Sequence, residues 1–160
     1  MRDATLCLLF RGDPIRQVLL GMKKARFGAG KYNGFGGKVE PGETVVQAAA
    51  RELAEEAGVQ VDLNALQPVG HLTFLFPHRR EWEQVVHVYS AYRWQGTPVE
   101  SEEMVPSWFG VDEIPYEEMW DDDRYWLPHV LAGKRVQATF TYQADNETVE
   151  HFEIVDWRTE

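Results

Sequence analysis

The sequence predicts an α+β or α/β sandwich built on a mixed β-sheet. Short apolar runs of strand length dominate the chain, two helix-forming segments are set between them, and turn residues separate the runs. There is no internal repeat, low-complexity tract or long linker, so residues 1–160 are read as one domain. That length is enough to bury a real core.

Taken in order, residues 5–10 and 17–22 read as two strands, and Arg11-Gly12-Asp13-Pro14 supplies the turn between them. A glycine-rich stretch follows over 27–37. Residues 45–57 predict a helix that is alanine-rich, charged on one side and stopped by Gly58. Residues 68–76 and 84–92 read as longer strands joined by a turn-rich link over 77–83, and 107–111 as a short one. Residues 125–132 look helical and end at Gly133, with Pro128 awkward in the interior. Residues 136–142 and 149–156 make a final strand pair around Asp145-Asn146.

Hydrophobic residues make up 44% and charged residues 26%, a globular balance. The apolar run 4–10 is too short to span a bilayer, and Arg11, Gly12 and Asp13 follow it in place of a small-residue cleavage site, so a cytoplasmic protein is expected. The single cysteine, Cys7, lies inside that run and reads as a buried, reduced core thiol. A net charge of −10 argues against gripping a nucleic-acid backbone. A small polyphosphate still binds an acidic protein where divalent cations bridge the two sets of negative charge.

The chemistry concentrates in residues 37–59, GKVEPGETVVQAAARELAEEAGV. Glu52, Glu55 and Glu56 stand at i, i+3 and i+4 on one helix face. Val46, Ala50, Leu53 and Ala57 form a separate apolar stripe for packing on a sheet. Such carboxylates repel by about 0.2–0.5 kcal/mol per neighbouring pair on an exposed helix, and a hard cation removes that cost. Taken alone, a glutamate cluster is more often a solvated face. Here Gly37 is followed after five residues by Glu43, then after seven by Arg51-Glu52-Leu53, then by Glu55-Glu56 and Gly58-Val59.

These are the defining positions of the Nudix box, and the chain resembles the Nudix family. Residues 19–24 (LLGMKK), 27–39 (FGAGKYNGFGGKV), 95–101 (QGTPVES) and 119–126 (MWDDDRYW) narrow the likeness to the MutT-homologue subgroup that hydrolyses oxidised purine nucleoside triphosphates. The resemblance implies an α/β/α sandwich with a mixed sheet and a Mg²⁺-dependent hydrolase, Mn²⁺ being a substitute. Its substrates would be nucleotides such as 8-oxo-dGTP and 2-hydroxy-dATP, cleaved to the monophosphate and pyrophosphate. It further implies a monomer with no nucleic-acid or membrane partner.

On that pattern Glu52, Glu55, Glu56 and the Gly36 carbonyl hold metal, and Glu103 adds a ligand from outside the box, its alternative being a surface acid beside Glu100 and Glu102. Glu56 is the chosen base, although family members divide these roles differently. Glu43 meets Arg51 in a bracing ion pair. Lys23 and Lys38 are candidates for the phosphates, or ordinary surface lysines. Thr5, Asn33, Phe35, Gly36, Gly37, Phe74 and Trp120 fall at substrate-contacting positions. Trp126, Phe27 and Phe76 are further aromatic wall candidates, or plain core. Asp122 and Asp123, crowded beside aromatic walls, should not both ionise easily. Exchange of one proton between them would let one pocket read an oxidised guanine and an oxidised adenine. The run Asp121-Asp122-Asp123 is also a plausible helix cap. The link 77–83 departs from the relative, whose pocket methionine is replaced near Gln84, and Trp82 either fills that space or lies on the surface. The other readings are a Nudix enzyme for ADP-ribose, a dinucleoside polyphosphate or ordinary nucleotides, and a non-catalytic nucleotide-binding module.

Overall fold

A computed structural model describes residues 1–157. Its frame is an eight-stranded mixed sheet made of β1 (Arg2–Arg11), β2 (Gln17–Lys23), β3 (Tyr32–Asn33), β4 (Gln67–Leu75), β5 (Gln84–Ala91), β6 (Met104–Gly110), β7 (Val136–Tyr142) and β8 (Val149–Asp156). The strand order is β3-β2-β1-β5-β4-β7-β8, with β6 also paired to β2. Two pairs are parallel, β1 with β5 and β4 with β7, and the other pairings are antiparallel. Two helices, α1 (Val45–Ala57) and α2 (Asp123–Leu131), cover opposite faces. The expected α/β/α layering is present. Among the described residues no helix is long and apolar enough to cross a membrane.

β1 is unbroken by polar residues between Leu6 and Phe10 because it is buried on both faces. Leu6, Leu8 and Phe10 join the cluster under α2 with Trp126, Leu127 and Val130. Cys7 and Leu9 join the cluster under α1 with Ala49, Leu53 and Ala57. Cys7 is fully buried and free, and burial pushes its thiol up to about 12. The apolar stripe of α1 packs as read, widened by the fully buried Ala48 and Ala49.

Strand boundaries fall close to expectation, with physical reasons for the exceptions. β1 begins earlier because Arg2, Asp3 and Ala4 pair with Gln84, Val85 and Val86. β6 begins earlier despite Pro106, which sits opposite Gly21 on a strand paired only to β2, where a missing N–H is tolerated. β3 was not anticipated, being two residues within the glycine-rich stretch. Pro128 does lie inside α2, on its exposed side.

The start of α1 is fixed by a reciprocal cap. The Thr44 side chain accepts from the Gln47 N–H at 3.2 Å, and the Gln47 side chain accepts from the Thr44 N–H at 2.8 Å. The helix ends on Gly58, whose φ of 71° is left-handed and suits glycine. Thr44→Ala should lower stability by about 1 kcal/mol, read as a lower urea midpoint with an unchanged slope. An unchanged midpoint would mean that packing alone sets this helix start.

Candidate active site

β1 and β2 pair only over Leu9–Arg11 and Gln17–Leu19, and beyond that point they diverge. The gap is filled by residues 35–39, which lie antiparallel along the first half of β1. Thr5 N donates to Gly37 O at 2.8 Å, Cys7 N to Phe35 O at 2.6 Å, Phe35 N to Cys7 O at 3.0 Å, and Val39 N to Asp3 O at 3.1 Å. Glycine is needed here by contact. A Cβ on Gly36 would lie 1.7 Å from the Thr5 carbonyl oxygen, and one on Gly37 would lie 2.6 Å from Glu52 Oε1. The divergence also lets Glu56, on α1, reach a cleft that opens on the α2 side of the sheet.

The acidic group is Glu52, Glu56 and Glu103, with candidate ligand oxygens all within 4.8 Å of one another. Glu103 arrives from the turn leading into β6, held by the bond from Lys24 N to its carbonyl at 2.9 Å. Glu56 is 3% exposed and accepts from Gly36 N at 2.8 Å. Burial, a proton shared with Glu103 and the charge of Glu52 raise its pKa to about 8. Burial also raises Glu52, against the lowering effect of Arg51. Crowded hard oxygens that resist simultaneous ionisation suit a divalent cation such as Mg²⁺.

Arg51 holds this arrangement together. Its Nε and Nη2 donate to the two Glu43 oxygens at 2.7 and 3.0 Å, its Nη1 donates to Glu52 at 2.7 Å, and its Nη2 reaches Lys38 O at 3.1 Å. Hydrogen bonding to Arg51 holds the Glu43 carboxyl down at about 2. The expected Glu43–Arg51 brace is present, and it extends to a member of the acidic group.

Glu55 is not brought into that group. It is exposed and turned to Arg51 Nη1 at 3.4 Å. At about 100° per residue, Glu55 and Glu56 diverge to opposite sides of Glu52, and only Glu56 faces the loop. Phe35 does not line the cleft either. It pairs opposite Cys7 and is fully buried beneath α1, where it supports the loop from below.

The cleft encloses about 540 Å³. Thr5, Lys23, Asn33, Gly36, Gly37, Lys38, Phe74 and Trp120 line it, as do Phe27, Phe76 and Trp126. The Thr5 hydroxyl lies 3.4 Å from Gly37 O, and Asn33 Oδ1 accepts from Gly34 N at 2.9 Å. Trp82 lies in the wall and not on the surface, with its ring 4.6 Å from Phe27 and 5.6 Å from Phe76; Phe27 stacks on Trp120 at 5.0 Å. Gln84 lines the same wall. Lys31, 5.2 Å over the Trp120 ring, and Tyr142 also line it. No local pattern marks either: Lys31 is one lysine of a glycine-rich stretch and Tyr142 one aromatic of a strand.

The aspartates divide. Asp121 accepts from Val149 N at 2.9 Å and pairs with Arg124 at 3.3 Å, so it ties β8 to the start of α2. Asp122 and Asp123 are buried and line the cleft, and burial raises both.

Residues 1–130 match the NUDIX domain. The oxidized purine nucleoside triphosphate hydrolase of Danio rerio is 50% identical over 135 residues, 84% of this chain and 85% of that protein. Its namesake from Mus musculus is 50% identical over 134 residues, 84% of this chain and 83% of that protein. A MutT protein from Bacillus halodurans has a similar solved structure, with a TM-score of 0.81 at 26% identity, covering 96% of this chain and 97% of that one.

The Glu56 environment has a measurable sign. A carboxyl that holds its proton more tightly when folded favours the fold at pH below 4.5, and that contribution is lost as pH rises through about 8. Metal-free wild-type protein should therefore lose more thermal stability between about pH 5 and about pH 8.5 than Glu56→Gln does. Parallel melting curves for the two would show that Glu56 titrates normally.

Proposed function

The chain belongs to the Nudix family, and from that premise we propose that it hydrolyses oxidised purine nucleoside triphosphates to the monophosphate and pyrophosphate. The observation that carries this reading is a single cleft lined by Glu56 of the acidic group, by aromatic side chains and by two buried aspartates. Similarity to the two animal hydrolases supports the substrate class.

Glu52, Glu56 and Glu103 are the residues that would hold Mg²⁺, with Gly36, whose N–H meets Glu56, a candidate to add its carbonyl. Bound there, Mg²⁺ supplies Lewis-acid polarisation of the phosphates and charge for the leaving pyrophosphate. The rest of the work belongs to side chains. Lys23 and Lys38 line the cleft where polyphosphate charge would lie. Arg51 ties Glu52 to the 38–43 loop. Hydrolysis breaks the α–β phosphoanhydride bond and adds the hydroxyl of water to phosphorus, and Glu56 takes the proton. Phe27, Trp82 and Trp120 form the aromatic wall beside the base, and Asp122 with Asp123 meets its polar edge.

The test is pyrophosphate release with Mg²⁺ from 8-oxo-dGTP, 2-hydroxy-dATP, dGTP and dATP, with AMP formation from ADP-ribose measured beside it. An oxidised purine should be preferred, and Glu56→Gln should lower kcat by about 10²–10⁴-fold. Comparable rates on ordinary nucleotides, or turnover of ADP-ribose alone, would retain the family and discard the substrate. Asp122→Asn and Asp123→Asn should each change base preference while leaving Mg²⁺ affinity intact. Unaltered preference in both would remove the aspartates from base reading.

A further inference from the structure

Around the two buried aspartates the hydrogen bonds are unequal. Both oxygens of Asp122 already receive a donor. Tyr142 Oη, at the end of β7, donates to Oδ1 at 2.5 Å, and Trp126 Nε1, one helical turn on, donates to Oδ2 at 2.8 Å. The indole N–H is a donor only. The tyrosine hydroxyl in turn accepts the Asp122 backbone N–H at 3.3 Å, an arrangement that leaves its own hydrogen directed to Oδ1. Asp123 is as deeply buried, and its Oδ2 has no hydrogen-bond partner among the described residues. A proton on Asp122 would make one of its two accepting oxygens a poorer acceptor and so weaken a buried hydrogen bond. A proton on Asp123 meets no such conflict.

We propose that Tyr142 is a specificity-determining positioning residue: with Trp126 it holds Asp122 as the carboxylate and leaves the shared proton on Asp123, so the pair reads one purine edge and not two. The inference rests on the substrate class proposed above. A carbonyl at purine C6 accepts a hydrogen bond and an amino group there donates one. The aspartate facing C6 must therefore be the acid for the first and the carboxylate for the second. Free exchange of the proton would serve both bases. The Tyr142 hydroxyl opposes that exchange, and the pocket discriminates between 6-oxo and 6-amino purines.

The surroundings agree in direction. Burial raises both carboxyls and Trp126 lowers both; the Tyr142 hydrogen bond pulls Asp122 alone back down, whereas the Asp122 charge raises Asp123 further. Among the described residues Asp121 and Tyr116 also face the pair: the Asp121 charge acts on Asp122, and burial together with the Asp123 charge raises Tyr116. Burial and the Asp122 charge push the Tyr142 hydroxyl well above its ordinary value, so it remains a donor throughout the physiological range.

Tyr142→Phe tests the inference with little disturbance to packing, because the ring that stacks on Phe76 at 4.7 Å is retained. The readout is kcat/KM for 8-oxo-dGTP and for 2-hydroxy-dATP. Wild type should prefer one of them, and the variant should move the ratio towards unity by about ten- to hundredfold, through a gain on the disfavoured base. An equal fall on both substrates would reduce Tyr142 to a structural role and overturn the proposal, as would a wild-type ratio near unity. Carboxyl ¹³C titration of the two aspartates gives a reading that needs no substrate. In wild type Asp122 should lose its proton at lower pH than Asp123, and the two should draw together in Tyr142→Phe. Asp123 ionising first would overturn the proposal. If neither oxidised nucleotide is turned over while the titration order holds, the substrate assignment fails and the proton order stands.

Discussion

The site depends on how closely residues 35–39 lie against the first half of β1. That contact is made by backbone hydrogen bonds between two segments that are not a conventional strand pair, and it exists because β2 turns away from β1 after three residues of pairing. Gly36 makes it possible: any side chain would enter the Thr5 carbonyl. Once the loop is seated, its Gly36 N–H meets Glu56, its Gly37 leaves space for Glu52, and its Lys38 carbonyl receives Arg51. One backbone placement thus orients two carboxylates and the arginine between them.

Much of this was legible in the sequence because the box residues are tied to one helix and one loop. A helical period places Glu52 and Glu56 one turn apart, and the end of the helix at Ala57 is legible because its stop is a glycine in the left-handed region. Glu55 shows the limit of the same reasoning. Spacing places three glutamates on a broad face, but only the loop packed against that face decides which are enclosed. Phe35 is placed at the pocket by likeness alone, and pairing opposite Cys7 puts it under α1 instead. The T-x-x-Q pattern of Thr44 and Gln47 is the sequence mark of the cap that starts the helix.

The base pocket was less legible because it is assembled from distant segments. Trp82 comes from the divergent link, Trp120 and the aspartates from the start of α2, Phe74 from β4 and Tyr142 from β7. No local period connects them. Three consecutive aspartates look equivalent in a sequence, yet the structure gives them different tasks: Asp121 anchors β8, Asp122 is held by a tyrosine and a tryptophan, and Asp123 has an oxygen with no partner among the described residues. Differences of this kind arise from hydrogen-bond partners contributed across the fold.

The two-faced burial of β1 has a consequence for how such a protein diversifies. Its odd-numbered side chains from Cys7 onward serve the layer carrying the acidic helix, and its even-numbered side chains serve the layer carrying the aromatic pocket. The layers meet in the cleft but draw on different cores. Replacements in the recognition layer therefore propagate little strain into the hydrolytic one, and a lineage can explore new bases while its bond-breaking apparatus stays under separate selection.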